Sequence, residues 1–305
     1  MNILILGGTG FIGRHLCTAL TAQNHTVFVG TRQINKLQES DTDGIEYVFW
    51  DNNYPPLLPP LDVIINLAGS KINAKRWTAS VKKELLQSRI SVTQALARAI
   101  RLGIYTPSLV ISGSAMGYYG HCSDYMITES NLCGNDFVAQ LAQVWENEAW
   151  HIIDHHFDTF NTPPRLALLR TGLVLGDGGV LPMMARPYRY GIGGPLGNGT
   201  QWLPWIHIDD LVNLILHIIE TPALEGAINA CSPHPEQMND FSRLLGQVLH
   251  RLSFAQIPQF ILKAFMGEMS LVILNSQRGF PEKALVNGFV FKYPDLEEAL
   301  KALYC

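Results

Sequence analysis

Short apolar runs alternate with longer amphipathic segments along the first two-thirds of the chain. Strands that are buried on both faces read as continuous apolar runs rather than as alternating ones. Strand–helix alternation further implies a parallel sheet joined by right-handed crossovers. The predicted strands are NILILG (2–7), HTVFVGTR (25–32), IEYVFW (45–50), LDVIINLAG (61–69), SLVISGS (108–114) and RLALLRTGLVLG (165–176).

The segments between these runs have helical spacing. FIGRHLCTALTAQ (11–23) places Ile12, Leu16 and Leu20 on one side of a predicted helix. Longer helices are predicted over 78–103 and 135–153.

The pattern changes after residue 176. Residues 177–205 are rich in glycine and proline and predict a loop region with one short helix. WIHIDDLVNLILHIIE (205–220) predicts a strand and a helix whose N-cap is Asp209. GAINACS (226–232) predicts a last strand of the sheet.

Helices dominate the chain from residue 233 onward. GFVFKY (288–293) predicts a final strand, followed by a helix that begins at Pro294 with Asp295 beside it.

Composition excludes several function classes. The 305 residues are 47% hydrophobic and 16% charged, with a net charge of -4, so we expect no attraction to nucleic acid or to an anionic membrane. The five cysteines include no C-x-x-C pair, which argues against a disulfide scaffold or a zinc site. The N-terminus lacks a signal peptide pattern, and no apolar run reaches the length of a membrane span, so we expect a cytoplasmic protein.

GGTGFIG places Gly7, Gly10 and Gly13 directly after the first strand and at the start of a helix. Glycine is needed there because the chain turns tightly and its backbone must approach a pyrophosphate. The helix N-terminus supplies free N–H groups and a partial positive charge. A glycine triplet in this position predicts a dinucleotide site; its G-x-x-G-x-x-G spacing differs from G-x-G-x-x-G.

The end of the second strand predicts the choice of dinucleotide. NAD-binding proteins usually carry a carboxylate about twenty residues after the glycines, for the ribose 2′-hydroxyl. Here Thr31 and Arg32 stand at this point, with Lys36 one turn later. A guanidinium holds a 2′-phosphate that a carboxylate would repel, so we expect NADP(H).

Other residues complete the predicted cofactor site. Asp51 follows the third strand and is a candidate acceptor for the adenine amino group, or a simple turn residue. Ala68 and Gly69 end the fourth strand, where lack of bulk lets the chain pass near the cofactor. The full predicted set is Gly7, Thr9, Gly10, Phe11, Ile12, Gly13, Thr31, Arg32, Lys36, Asp51, Leu67, Ala68, Gly69 and Arg89.

GGTGFIG, TR, NLAG and SGSAMGYYG, in this order, resemble an extended or atypical short-chain dehydrogenase/reductase. RWTASVKKELLQSRI (76–90), RTGLVLGDGGVLP (170–182), GGPLGNGTQWLPWIHIDDLV (193–212) and the segment 276–300 are similar to the YfcH-type, epimerase-like family. The last segment resembles that family's small C-terminal domain of unknown function. The resemblance covers essentially the whole chain and implies NADP binding, a kinship with nucleotide-sugar epimerases and an annotation of some members as cell-division inhibitors.

The resemblance also implies an organisation into two parts. The expected fold is α/β: a Rossmann doubly wound parallel sheet with a smaller, mostly helical C-terminal substrate lobe. We expect the NADP-binding domain to comprise 1–180 with 205–232. The small substrate-side domain would comprise 181–204 with 233–305.

The superfamily's reaction centre is only partly present. A Ser or Thr after the fifth strand binds the substrate oxygen there, and a Tyr-x-x-x-Lys pair transfers the proton. Ser114 matches the serine. Phe137 and Leu141 stand where the tyrosine and lysine should fall, so the acid–base pair is absent.

Three explanations remain open. In the first, Tyr119 or Tyr118 replaces the missing acid. In the second, the protein binds NADP(H) without catalysis, as a regulatory or interaction protein. In the third, the reaction depends on other residues, such as Arg89 or Lys83, with the cofactor supplying the hydride.

In related epimerases the region between the sixth strand and the next helix binds the nucleotide-sugar, so the resemblance places the substrate side there. Gln201 and Trp202 stand where related epimerases often carry an Arg-Asp pair, and the missing arginine weakens the case for a diphosphate substrate. Trp202 suits a ring-stacking wall, and His207 either faces the pocket or is a core histidine. We expect an NADP(H)-dependent oxidoreductase or epimerase acting on a small polar or sugar-like molecule, as a monomer or homodimer.

Overall fold

The computed structural model describes residues 1–33, 35, 44–153 and 162–305. At its centre lies a seven-stranded sheet with the order β11-β7-β5-β4-β1-β2-β3, in which all neighbours are parallel. The strands are β1 (Asn2–Leu6), β2 (Thr26–Thr31), β3 (Ile45–Phe49), β4 (Val63–Asn66), β5 (Leu109–Ala115), β6 (Met126–Ile127), β7 (Arg165–Thr171), β8 (Leu173–Leu175), β9 (Trp202–Leu203), β10 (Trp205–His207), β11 (Gly226–Ala230), β12 (Glu236–Gln237) and β13 (Arg278–Gly279).

Helices cover both faces of the sheet, as a doubly wound Rossmann fold requires. They are α1 (Phe11–Ala22), α2 (Ala79–Arg101), α3 (Phe137–Trp150), α4 (Leu181–Arg189), α5 (Ile208–Glu220), α6 (Met238–Val248), α7 (Gln259–Met266), α8 (Leu271–Leu274), α9 (Glu282–Val286) and α10 (Leu296–Tyr304). No helix in the described ranges is long and apolar enough to cross a membrane.

The central strands carry apolar side chains to both faces. Ile3 and Ile5 of β1 pack with α1 and α5 on one face, whereas Leu4 and Leu6 pack with α2 on the other. Burial on both faces explains why these strands read as unbroken apolar runs. The switch point of the strand order lies between β1 and β4, so the crevice expected for a ligand opens there.

A second apolar core belongs to the C-terminal lobe. It joins α4, α6 and α10 with Leu203 and Trp205 from β9 and β10. Short sheets tie this lobe to the rest: β8 pairs with β10, β9 with β12 and β6 with β13. The lobe lies beyond the carboxyl ends of β5 and β7, because β6 and β8 follow these strands.

The predicted strand 165–176 is two strands. The chain breaks at Gly172, where an added Cβ would lie 2.3 Å from the carbonyl oxygen of Pro204. This close approach lets β8 leave the main sheet and pair with β10.

The predicted strand at 288–293 is wrong. Its side chains do alternate, with Phe289 and Phe291 buried and Val290 exposed. The N–H groups of Lys292 and Tyr293, however, donate to the carboxylate of Asp210 at 2.7 and 2.9 Å. These backbone N–H groups thus bond to a side chain of α5 and not to a partner strand.

Two predicted helix starts are also wrong. α10 begins at Leu296 with Asp295 as its N-cap, so Pro294 lies before the helix. α5 is capped by His207, whose Nδ1 accepts the N–H of Asp209 at 3.1 Å. Asp209 therefore belongs to the first turn, where its charge favours the positive end of the helix dipole.

Candidate active site

The glycine turn between β1 and α1 is tightly packed against backbone. A Cβ on Gly13 would lie 2.3 Å from the carbonyl oxygen of Gly7, and one on Gly7 would lie 2.8 Å from the backbone of Leu67. Gly7 also has φ of 90°, a conformation that favours glycine. Gly10 caps α1 without any side-chain bond, so the first N–H groups of the helix remain for a ligand.

The residues predicted for the 2′-phosphate lie at the end of β2. Thr31 is buried, and its hydroxyl accepts the N–H of Gln33 at 3.1 Å. Arg32 is exposed immediately after the strand. Lys36 lies outside the described residues.

The ends of β3 and β4 border the same crevice. Asp51 accepts the N–H of Asn53 at 2.7 Å, which is a turn contact, and its predicted role toward adenine stays a prediction. The N–H of Ala68 donates to Asn66 at 3.2 Å, which fixes the chain where Leu67 meets Gly7.

Arg89 of α2 packs against the end of β4. Its guanidinium donates to the carbonyl oxygens of Leu85 and Ser70 at 3.0 and 3.2 Å and lies 5.1 Å from the ring of Trp145. Burial lowers the pKa of Arg89 to about 10, so the side chain remains charged at neutral pH. A Cβ on Gly69 would lie 3.0 Å from the guanidinium carbon, so glycine makes this packing possible.

A buried ion pair stands behind Ser114. The Ser114 hydroxyl donates to Glu146 Oε1 at 2.6 Å. Arg170 donates through Nε and Nη2 to both oxygens of the same carboxylate, each at 2.8 Å. Although burial alone would lower it, the contact with Glu146 raises the pKa of Arg170 above its ordinary value. Ser114 is therefore held in one rotamer by a fixed charge pair.

Tyr119 belongs to this network. Its hydroxyl accepts from Arg170 Nη1 at 2.8 Å and donates to Asn229 Oδ1 at 2.7 Å. Burial raises the pKa of Tyr119 well above its ordinary value, against the opposing effect of Arg170. The phenol both accepts and donates a hydrogen bond inside the protein, which suits a structural anchor; its role as a replacement acid, one of the three alternatives, stays a prediction.

Tyr118 lies beside the same guanidinium. Its ring stacks 3.5 Å from the Arg170 Cζ, and the side chain is half-buried. Burial also raises the pKa of Tyr118. The contact holds the guanidinium from the face that the carboxylate leaves open.

The two positions expected for the acid–base pair hold apolar side chains that pack in an apolar cluster. Phe137 begins α3 and packs edge-on against Trp77 with ring centroids 5.1 Å apart. Leu141 is buried in the same cluster. Neither position holds a group that transfers a proton.

A cavity of about 380 Å³, called here the inner cavity, lies at the carboxyl ends of the strands. Phe11 and Ile12 of α1 bound one side, and Ala115, Thr171 and Ile273 bound others. Its wall thus includes the first two residues of α1, which follow the glycine turn, and the residue next to Ser114.

The predicted substrate residues Gln201 and Trp202 turn away from the inner cavity. The Gln201 amide donates to the carbonyl oxygen of Leu196 at 2.8 Å, and Trp202 Nε1 donates to Asp124. Gln201 and Asp124 border a separate polar cavity of about 400 Å³, which the segment 273–277 divides from the inner one.

His207 is a core residue. Besides capping α5, its ring lies 4.2 Å from that of Tyr293, and it borders neither cavity. Burial lowers the pKa of His207 to about 4, so it is neutral at pH 7. Of the two interpretations that the sequence left open, the structure favours the core histidine.

Sequence reasoning missed the residues that hold Ser114. Glu146 falls on the apolar side of α3 among Ala139, Ala142 and Ala149, and Arg170 ends the apolar run of β7. Opposite charges in two buried segments were the available signal, because buried charges are nearly always paired. Nothing in the sequence indicated that these two charges pair with each other.

Comparisons with known proteins show the family. A model of the NAD dependent epimerase/dehydratase family matches residues 3–142, and a domain of unknown function (DUF1731) matches 257–303. Epimerase family protein YfhF of Bacillus subtilis (strain 168) is 37% identical over 304 residues, covering 99% of this chain and 98% of that protein. The Arabidopsis thaliana epimerase family protein SDR39U1 homolog, chloroplastic, is also 37% identical, over 99% of this chain and 86% of that protein.

Solved structures show the same relationship. The crystal structure of human epimerase family protein SDR39U1 (isoform 2) with NADPH has a TM-score of 0.88 and 31% identity, covering 100% of this chain and 99% of that one. The resemblance inferred from GGTGFIG and the later segments is confirmed. This chain belongs to the NAD dependent epimerase/dehydratase family, among the epimerase family proteins related to YfhF and SDR39U1.

Proposed function

We propose that this protein is an NADP(H)-dependent oxidoreductase that transfers hydride between the nicotinamide and a substrate in the inner cavity. The observation that carries this proposal is the continuity of the inner cavity. One wall is Phe11 and Ile12, at the turn built for a pyrophosphate, and the opposite wall is Ala115 and Thr171, at the ends of β5 and β7. A dinucleotide bound at the glycine turn would therefore have beside it the inner cavity and Ala115, the residue that follows Ser114.

The residues present fit NADP(H). The first N–H groups of α1 have no side-chain cap and suit a pyrophosphate. Because Gly7 and Gly13 have no side chains, the pyrophosphate can approach their backbone. Arg32 is exposed at the end of β2, where a guanidinium suits a 2′-phosphate. The structure of human SDR39U1 with NADPH supports the same preference.

The bound cofactor supplies or accepts the hydride, and the chain orients the substrate. The Ser114 hydroxyl donates its proton to Glu146. It can therefore only accept a hydrogen bond from a substrate. Among the described residues that line the inner cavity, none is a carboxylic acid, histidine, lysine or tyrosine. Reduction of a carbonyl would therefore take its proton from water.

A catalytically silent, NADP(H)-binding regulatory protein is the second candidate. The commitment of the Ser114 hydroxyl to Glu146 favours it, because the superfamily serine normally donates to substrate. The apolar Phe137 and Leu141 point the same way.

Calorimetry with NADPH and NADH, followed by NADPH oxidation with a panel of aldehydes and ketones, tests the proposal. We expect tight NADPH binding and turnover that Ser114→Ala reduces without weakening cofactor binding. Ser108→Ala is the matched control, because its hydroxyl bonds to Asp62 just before the start of β5. Tight binding with no turnover would favour the regulatory candidate, and no NADPH binding would refute both.

A further inference from the structure

The substrate side of the inner cavity is apolar. Ile72, Met116, Val138, Leu203, Met238 and Ile273 line it beyond the dinucleotide turn. Its polar side chains are already engaged in the protein: Asn275 donates to Asp136 at 2.6 Å, and Gln277 donates to the carbonyl oxygen of Gly120 at 2.9 Å. A sugar would bring several hydroxyls into this space with few partners, at the cost of unpaired polar groups.

A second apolar cavity adjoins the first. This outer cavity, of about 290 Å³, lies between α4, α6 and α7 and is lined by side chains such as Met183, Ile192, Phe241, Leu245, Leu262 and Met266. Its hydroxyl groups bond each other, because Tyr188 and Ser242 pair at 2.5 Å. The outer cavity therefore offers apolar contact and little else.

The two cavities share their walls. Ile72, Val180, Met184, Leu196, Met238 and Ile273 line both. The inner and outer cavities therefore adjoin, and the boundary between them is made of apolar side chains.

The outer cavity opens to solvent through apolar side chains. Met183 and Ile192 line it and are each 60% exposed. Phe254, 66% exposed, donates its N–H to Gly193 beside this opening. Exposed apolar groups around the mouth of a pocket favour the entry of an apolar molecule.

We infer that the substrate is an elongated apolar molecule, such as an unbranched aliphatic carbonyl compound. Its carbonyl end lies in the inner cavity beside Ala115, the residue after Ser114, and its chain lies in the outer cavity. In the reduction, the carbonyl carbon would receive a hydride from NADPH and the oxygen a proton from water, which leaves an alcohol, NADP⁺ and hydroxide. This inference rests on the proposed function for its chemistry, but the binding of the chain can be measured independently.

The test is a series of unbranched alkanals and alkan-2-ones of increasing length, with NADPH oxidation as the readout. Calorimetry with the matching 1-alkanols measures binding without turnover. Each added methylene should raise kcat/KM and alkanol affinity by about fourfold until the outer cavity is filled. UDP-glucose and glyceraldehyde should be poor ligands.

Ile72→Trp narrows the junction between the cavities. It should abolish the gain in kcat/KM and in alkanol affinity that long chains show over short ones. Val290→Trp, at an exposed position in the segment before α10, is the control and should change neither.

The outcomes separate the two proposals. Turnover of polar carbonyls without dependence on chain length, or no alkanol binding, would overturn the apolar substrate and keep the oxidoreductase. Alkanol binding that lengthens with the chain, in a protein that binds no NADPH, would overturn the oxidoreductase and keep the apolar ligand. An Ile72→Trp variant that binds long and short alkanols like the wild type would also refute the assignment of the outer cavity.

Discussion

The hydroxyl of Ser114 and the carboxylate of Glu146 lie 2.6 Å apart, although 32 residues separate them in the chain. This contact joins the strand that ends at the reaction centre to the helix that in the wider superfamily carries the acid–base pair. Helix α3 thus still contacts the serine, but through the carboxylate of Glu146.

Removing the carboxylate should destabilise the protein strongly. Glu146→Leu leaves the Arg170 charge buried without its partner, which typically costs about 3–5 kcal/mol of unfolding free energy. The double variant with Arg170→Met should be less destabilised than the single one, because no charge is left unpaired. Urea unfolding measures the free energy of unfolding of the two single variants and of the double one.

The exposed pair Lys75–Glu84 provides the control. Its atoms lie 3.6 Å apart, and Glu84→Gln should change the unfolding free energy by less than about 1 kcal/mol. A double variant whose loss equals the sum of the two single losses would show that Glu146 and Arg170 do not act as a pair.

Tyr119→Phe should weaken the fold and spare the reaction. It leaves Asn229 Oδ1 and one Arg170 N–H without their partner, at a cost of about 1–3 kcal/mol. Turnover per folded molecule, measured below the unfolding transition, should persist. Tyr118→Phe is the matched variant and should change stability little. Loss of turnover in a folded Tyr119→Phe protein would restore Tyr119 as the missing acid.

Arg32→Asp should reverse the cofactor preference. The aspartate repels a 2′-phosphate and accepts from a 2′-hydroxyl, so NADPH affinity should fall by about tenfold to a hundredfold while NADH affinity is kept or improved. Calorimetry with both dinucleotides measures the change. Arg251→Asp, at another exposed arginine, should alter neither affinity. Equal losses for NADPH and NADH would remove the specificity argument.

His207 should make stability depend on pH. Its folded-state pKa, about 4, lies below the ordinary value of 6.5, so the unfolded chain binds more protons between these values. Its contribution is therefore present above about pH 6.5 and is lost as the pH falls toward 4. His207→Asn keeps an N-cap acceptor and should flatten this part of the profile of unfolding free energy against pH. An unchanged slope would mean that another group titrates there.

Periodicity along the chain was sufficient for most elements of the sheet. β1 to β5 and their helices lie close to their predicted bounds, because a strand buried on both faces has a local signature. The glycine turn was predictable for a similar reason, since three glycines between a strand and a helix serve a backbone need. The segment 288–293 failed because alternation reports which side chains are buried and says nothing about whether a partner strand is present.

The sequence by itself determined the Rossmann core, the family and the expected preference for NADP(H), because each rests on short motifs or on repeating local patterns. Only the tertiary structure decided that Glu146 contacts Ser114 and Arg170, that Tyr119 bonds to Arg170 and Asn229, and that Gln201 lies outside the inner cavity. It also decided the apolar character of the inner cavity, whose wall includes Phe11, Ile72 and Ile273. Such walls and ion pairs depend on distances between residues far apart in the chain, and no local pattern encodes those distances.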